Sequence, residues 1–210
     1  VNRLMLAPYG VHPDQVIEFS GDQGPLVTLI HGGYWKSKHT REHMKQLAEA
    51  LASTGFRVAN IEYRREPLNP QITLSDVITA LESLKDSIAI IGFSVGGQLA
   101  LIANSKVHKI ILLAPVTDLE RTRNERLGED AVVIAFGDIP LDTFDPMKKN
   151  YDTHLYIIHG DADDRVPIQH SRDFAKSKGA SLMEIPGADH FEVINPQSIA
   201  FELILQFLRK

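Results

Sequence analysis

Five residues in a row, Gly92-Phe93-Ser94-Val95-Gly96, pair a serine with two glycines at G-x-S-x-G spacing. Ser94 is the one candidate nucleophile that comes with a built-in geometry. A sharp strand-to-helix turn lifts such a serine above a sheet, and flanking glycines let the neighbouring backbones close in. The following helix turns its N-terminal amides and positive dipole end to the same spot. A second string, His31-Gly32-Gly33-Tyr34-Trp35, offers adjacent glycines whose N–H groups can face a substrate oxygen. Donors placed where negative charge develops are usually a large catalytic term. The oxyanion donors are therefore expected from Gly33 or Tyr34, with Val95 as partner. Asp161, Asp163 and Asp164 share one loop, and spacing alone does not choose among them. Downstream, His190 completes the chain order Ser…Asp…His that acyl-transfer chemistry uses on an open α/β sheet. His31 precedes the acid in sequence and reads as structural. His170 falls inside a helical pattern and reads as a surface residue.

These residues need elements to hold them. Apolar, β-branched runs at residues 25–31, 56–62, 87–93, 108–114, 153–158 and 180–185 read as strands, and residues 15–19 as an early one. Helical spacing covers residues 40–54, 72–85, 95–104, 168–177 and 196–209, with Thr40 as an N-cap. Alternating strands and helices, with strands apolar on both faces, predict a doubly wound, mostly parallel sheet with helices on both faces. In such sheets ligands bind beyond the carboxyl ends of the strands. Ser94, His31 to Trp35, the three aspartates and His190 all follow strand ends. Residues 115–150 are weakly patterned and charged. They predict a small cap or excursion within one domain spanning residues 1–210.

Composition narrows the function classes. With 43% hydrophobic residues over 210 positions the chain has enough apolar mass for a core, which excludes a disordered tail. A net charge of −5 argues against a nucleic-acid or anionic-membrane footprint. The absence of cysteine excludes disulfides, thiolate metal sites and a cysteine nucleophile. Residues 1–10 lack the apolar run of a signal peptide, and the opening valine is compatible with a processed or trimmed start. No apolar run approaches a membrane span. A cytoplasmic enzyme is expected, working on a small molecule without cofactor or metal.

The motifs together resemble the α/β-hydrolase superfamily over essentially the whole chain. His31 to Trp35, the G-x-S-x-G and His190-Phe191 are similar to the small esterases and to the animal and fungal type of kynurenine formamidase. His159-Gly160-x-x-Asp163-x-x-Val166-Pro167 resembles the acid-bearing loop of the superfamily, and that likeness selects Asp163. Ile61-Glu62-Tyr63-Arg64-Arg65 resembles a strand end of small bacterial relatives. The hormone-sensitive-lipase branch carries a third glycine where this chain has Tyr34, and dienelactone hydrolases use the cysteine this chain lacks. The resemblance implies an α/β-hydrolase fold with a reduced cap and a Ser94–His190–Asp163 triad working through an acyl-enzyme. Carboxylic ester hydrolysis leads, and arylformamide hydrolysis is the second reading. Tyr34, Trp35, Phe93 and Phe191 flank this chemistry and are expected to line the substrate pocket. Two rivals remain. A non-catalytic binding protein on the same fold is one. A zinc site is the other: His39-Thr40-Arg41-Glu42-His43 fits H-x-x-E-H, but an N-cap at Thr40 leaves His39 outside the helix.

Overall fold

The computed structural model describes residues 5–103 and 107–210. Eight strands, β1 (Met5–Pro8), β2 (Val16–Ser20), β3 (Leu26–Ile30), β4 (Arg57–Ile61), β5 (Ser87–Phe93), β6 (Lys109–Leu113), β7 (His154–Gly160) and β8 (Ser181–Ile185), form one sheet. The order is β1-β2-β4-β3-β5-β6-β7-β8. β2 pairs antiparallel with both β1 and β4, and every other pairing is parallel. The expected parallel core is present. The edge strand β1 is an addition, since Met5 and Leu6 are exposed and leave no half-buried pattern to read.

Strand alternation divides the core into two layers. Ile30, Ile90, Ile110 and Leu112 face one side, where α2 (Pro70–Ser83), α3 (Val95–Ile102) and α6 (Gln169–Lys178) pack. Leu29, Ile91, Ile111 and Leu113 face the other, against α1 (Lys45–Ser53) and α7 (Ile199–Arg209). Both faces of the central strands are thus dry, which is why they read as continuous apolar runs. The predicted helix at residues 40–54 divides into a 3₁₀ turn over Arg41–Met44 and α1. Thr40 caps the turn, its hydroxyl accepting from the Glu42 amide at 3.4 Å. The predicted end of α3 at residue 104 lies outside the described residues, as does Val1.

Residues 115–150 hold α4 (Leu119–Asn124) and α5 (Leu127–Phe136). They are not merely solvated. Leu119, Ala131, Val132, Ala135 and Phe136 are buried in the core layer shared with α3. The start of α5 is unusual: Gly128, Glu129 and Asp130 all adopt left-handed φ/ψ, and so does Arg126 before them. His170 corrects the sequence reading. It lies in α6 but is fully buried, with its Nε2 2.8 Å from Glu125 Oε2 of the α4–α5 link. Among the described residues no helix is long and apolar enough to cross a membrane.

Candidate active site

Parallel strands that end together bring their following loops together. Ser94 follows β5 with φ 54° and ψ −119°, a strained conformation for a residue with a side chain. Two packing constraints hold the turn. A Cβ on Gly92 would lie 2.5 Å from Gly96 O, and a Cβ on Gly96 would lie 2.0 Å from Ile30 O. The spacing of G-x-S-x-G is therefore enforced by backbone contact with α3 and β3. The Ser94 amide donates to Leu113 O at 2.8 Å, tying the turn to β6.

The loop after β3 lies against this serine. A Cβ on Gly32 would come 2.7 Å from Ser94 Cβ. Gly33 has φ 121° and packs on His39, leaving no room for a side chain. Tyr34 and Trp35 continue with φ 50° and 58°. Among the described residues, the N–H groups of Gly33, Tyr34 and Val95 donate to no protein acceptor. All three oxyanion candidates are thus free, and Val95 opens α3 where the dipole is positive.

The acid loop separates the three aspartates. Asp161 is exposed and accepts from the Gly187 amide at 2.6 Å. Asp164 is exposed and pairs with Arg165. Asp163 alone is buried against a histidine: its Oδ2 accepts from His190 Nδ1 at 2.6 Å. Its Oδ1 accepts from the Arg165 and Val166 amides at 2.8 and 2.9 Å. Burial alone would raise its pKa, but hydrogen bonds from His159 and His190 outweigh that and hold the carboxyl well below the ordinary range.

His159 is a contributor that the site residues proposed from sequence did not include, although it opens the acid-loop string. Its Nε2 lies 3.0 Å from Asp163 Oδ2 and 2.9 Å from Val166 O. Both are acceptors, so Nε2 carries the proton. In the neutral ring Nδ1 then accepts from the Ser171 hydroxyl, 2.7 Å away. His159 thereby braces the far side of Asp163.

Ser94, His190, Phe93, Tyr34 and Phe191 line one cavity of about 480 Å³. Among the described residues the Ser94 hydroxyl makes no hydrogen bond, though Ser94 and His190 line the same cavity. His190 packs between Phe93 and Phe191, with ring centroids at 4.9 and 5.4 Å. Trp35 does not join them. It is 6% exposed and meets Phe136 edge to face at 5.2 Å, so it is a core residue under the loop and not a pocket wall. Trp35→Ala is expected to cost about 3–5 kcal/mol of stability while leaving KM nearly unchanged, as thermal unfolding and steady-state kinetics would show.

Sequence reasoning also missed polar lining from Lys36, Arg126 and Arg165. The first two come from, or reach, residues 115–150: Lys36 Nζ pairs with Glu129 Oε2 at 2.5 Å. Arg126 and Arg165 are exposed and Lys36 half-buried, and none of them follows a pattern readable in sequence. His39 and His43 stand at the same cavity, His39 Nδ1 3.5 Å from His43 Nε2, and His39 precedes the capped turn as expected. Among the described residues no group of three or more potential ligands is placed to hold a metal.

This sheet order, with a strained serine after β5 and a buried Asp–His pair after β7 and β8, defines an α/β-hydrolase fold. The BD-FAE family model matches residues 18–155, and the chain belongs to that family. Kynurenine formamidase of Drosophila melanogaster is 25% identical over 227 aligned positions, covering 91% of this chain and 74% of the fly protein. Among solved structures, esterase B of Lactobacillus rhamnosis with a tributyrin phosphonate superposes with a TM-score of 0.82 at 19% identity, covering 99% of this chain and 84% of that one. Esterase 2 of Thermogutta terrifontis, phosphoramylated by tabun, gives a TM-score of 0.78 at 19% identity, covering 98% and 94%.

Proposed function

We propose that this chain is a serine hydrolase that cleaves a carboxylic ester of a small molecule, with Ser94, His190 and Asp163 as its triad. The observation that carries the reading is the Asp163–His190 hydrogen bond, whose histidine lines the same cavity as the strained Ser94. Because His190 Nδ1–H is donated to Asp163, its Nε2 is left as the base. Ser94 Oγ attacks the acyl carbon and passes its proton to His190 Nε2. The carbonyl oxygen becomes an oxyanion facing the N–H groups of the Gly33–Tyr34 turn and Val95. His190 then protonates the leaving alcohol as the acyl–oxygen bond breaks. Water repeats the sequence on the acyl-enzyme and releases the acid.

The domain is read as a single unit over residues 1–210, with residues 115–150 as a small cap beside the cavity. Phe93, Phe191 and Tyr34 would form the apolar wall for an acyl or aryl group. Arylformamide hydrolysis is the second reading, favoured by the fly relative and by the His-Gly-Gly-Tyr-Trp string. It uses the same nucleophile and base, with an amine as leaving group.

A panel of nitrophenyl esters of rising acyl length, run beside an N-formyl aryl amine, separates the two. The ester reading expects kcat/KM to be highest on a short-chain ester. Faster turnover of the formamide would reverse the order. No turnover on either, with no labelling of Ser94 by a fluorophosphonate, would leave a binding protein on a hydrolase fold.

A further inference from the structure

Beneath the Gly32–Gly33 turn lies a group of buried charges that the proposed chemistry does not use. His31 is fully buried. Its Nδ1 is 2.7 Å from Gly32 O, and since a carbonyl only accepts, Nδ1 carries a proton. Its Nε2 is 2.9 Å from Glu62 Oε1. The carboxylate only accepts, so Nε2 donates to it; Arg65 Nη1 donates to the same Glu62 Oε1 and lies 3.1 Å from the imidazole nitrogen. Glu62 also accepts from the Tyr63 amide at 3.1 Å and, through Oε2, from the Arg41 amide at 2.9 Å. The Tyr63 ring stacks on the imidazole at 4.3 Å, and its hydroxyl donates to His31 O at 2.7 Å. The carbonyls of His31 and Gly32 are thus both pinned from below.

A trans peptide is planar, and its N–H points opposite to its C=O. Holding Gly32 C=O against the His31 ring therefore turns the Gly33 N–H the other way. That peptide abuts Ser94, because Gly32 Cα packs on the serine side chain. The Gly33 N–H has no protein acceptor among the described residues. Buried ion pairs are weak grounds for stability, since desolvation offsets most of their attraction. Here the charges are spent on the orientation of one peptide.

We infer that Glu62, acting through His31, is a positioning residue that fixes the Gly33 N–H, and not that of Tyr34, as the first donor of the oxyanion hole. The inference rests on the serine-hydrolase reading for its catalytic consequence but not for its structural one. Glu62→Gln keeps the shape and removes the charge that holds the His31 ring. In this variant kcat on a nitrophenyl ester is expected to fall about tenfold to a hundredfold, less than the loss of a whole donor, with KM changed less than about threefold. Affinity for a trifluoromethyl ketone, which forms an oxyanion on Ser94, is expected to fall by the same factor as kcat/KM. Glu18→Gln is the control. Glu18 is equally buried and pairs with Arg41 but does not touch His31, so this variant loses stability without losing kcat. Tyr63→Phe, which removes only the bond to His31 O, is the milder variant should Glu62→Gln fail to fold, and it is expected to lower kcat by several-fold.

An amide spectrum provides the readout that does not depend on turnover. The Gly33 resonance is expected to move or broaden in Glu62→Gln, or in Tyr63→Phe if that is the variant that folds, and to stay in place in Glu18→Gln. Equal kcat in wild type and Glu62→Gln, or equal losses in Glu62→Gln and Glu18→Gln, would overturn the inference. So would an unmoved Gly33 resonance. Should Ser94→Ala retain activity, the catalytic reading fails, and the Gly33 resonance still decides the positioning claim.

Discussion

Ser94→Ala is expected to lower kcat on the best ester of the panel by about a million-fold and to abolish fluorophosphonate labelling. The size of the effect follows from the loss of the covalent route. Without Oγ there is no acyl-enzyme, and only the oxyanion donors and binding remain to assist direct attack by water. The fold should survive, because alanine takes the place of serine without new bulk in a turn fixed by Gly92, Gly96 and the bond to Leu113 O. Strain at φ 54°, ψ −119° is of order 1–3 kcal/mol, and alanine keeps it. Ser94→Gly releases it. The glycine variant should therefore be equally inactive yet melt at a higher temperature than the alanine variant. Thermal unfolding with kinetics on the same samples tests both. An alanine variant within tenfold of wild type sinks the nucleophile assignment, and a glycine variant no more stable than alanine removes the claim of stored strain.

The elements that bury both faces were legible because their signal is local. β3, β5 and β6 are uninterrupted apolar runs, and β3 and β5 lead directly into turns that reach the cavity. Ser94 was legible through its motif: Gly92 is required by contact with Gly96 inside the same turn, while Gly96 is required by the backbone of β3, a partner distant in sequence. What was not legible depends on partners distant in sequence. Trp35 sits inside a motif that points to a ligand, but Phe136 of α5 covers it. His170 occupies a polar stretch of α6, and only Glu125 across the interface gives its burial a cause. β1 lies at the sheet edge with its apolar side chains in solvent, so periodicity has nothing to report. The choice of Asp163 over its neighbours came from family likeness. The structure supplies the physical reason: Asp161 and Asp164 face water, and Asp163 alone faces His190.

Asp163→Asn carries the second large effect, and it is expected in both activity and acid stability. With an amide in place of Oδ2, an NH₂ group facing His190 Nδ1 forces that nitrogen to accept and moves the ring proton to Nε2. His190 then has no lone pair for the Ser94 proton, and kcat falls by about ten-thousand-fold. With the amide turned over, the NH₂ faces the amides of Arg165 and Val166, which also donate. Neither orientation satisfies the four donors that the carboxylate serves, so stability falls too. The acid dependence follows from the direction of the shift. Burial opposes the charge of Asp163, but the His159 and His190 bonds win and the folded pKa is depressed. A depressed carboxyl contributes stability that is fully present above its unfolded pKa, near 4, and is lost as pH falls through the folded value. Glu62 behaves alike: burial pushes it up, the bonds from His31 and Arg65 prevail, and it is held down to about 2. The wild-type melting temperature should therefore drop steadily from about pH 5 toward pH 2. In Asp163→Asn the starting value is lower and the slope shallower, because one of the buried, depressed carboxyls is gone. Parallel slopes for the two proteins would show that Asp163 is not held as an anion, and the Asp–His arrangement would lose its electrostatic basis.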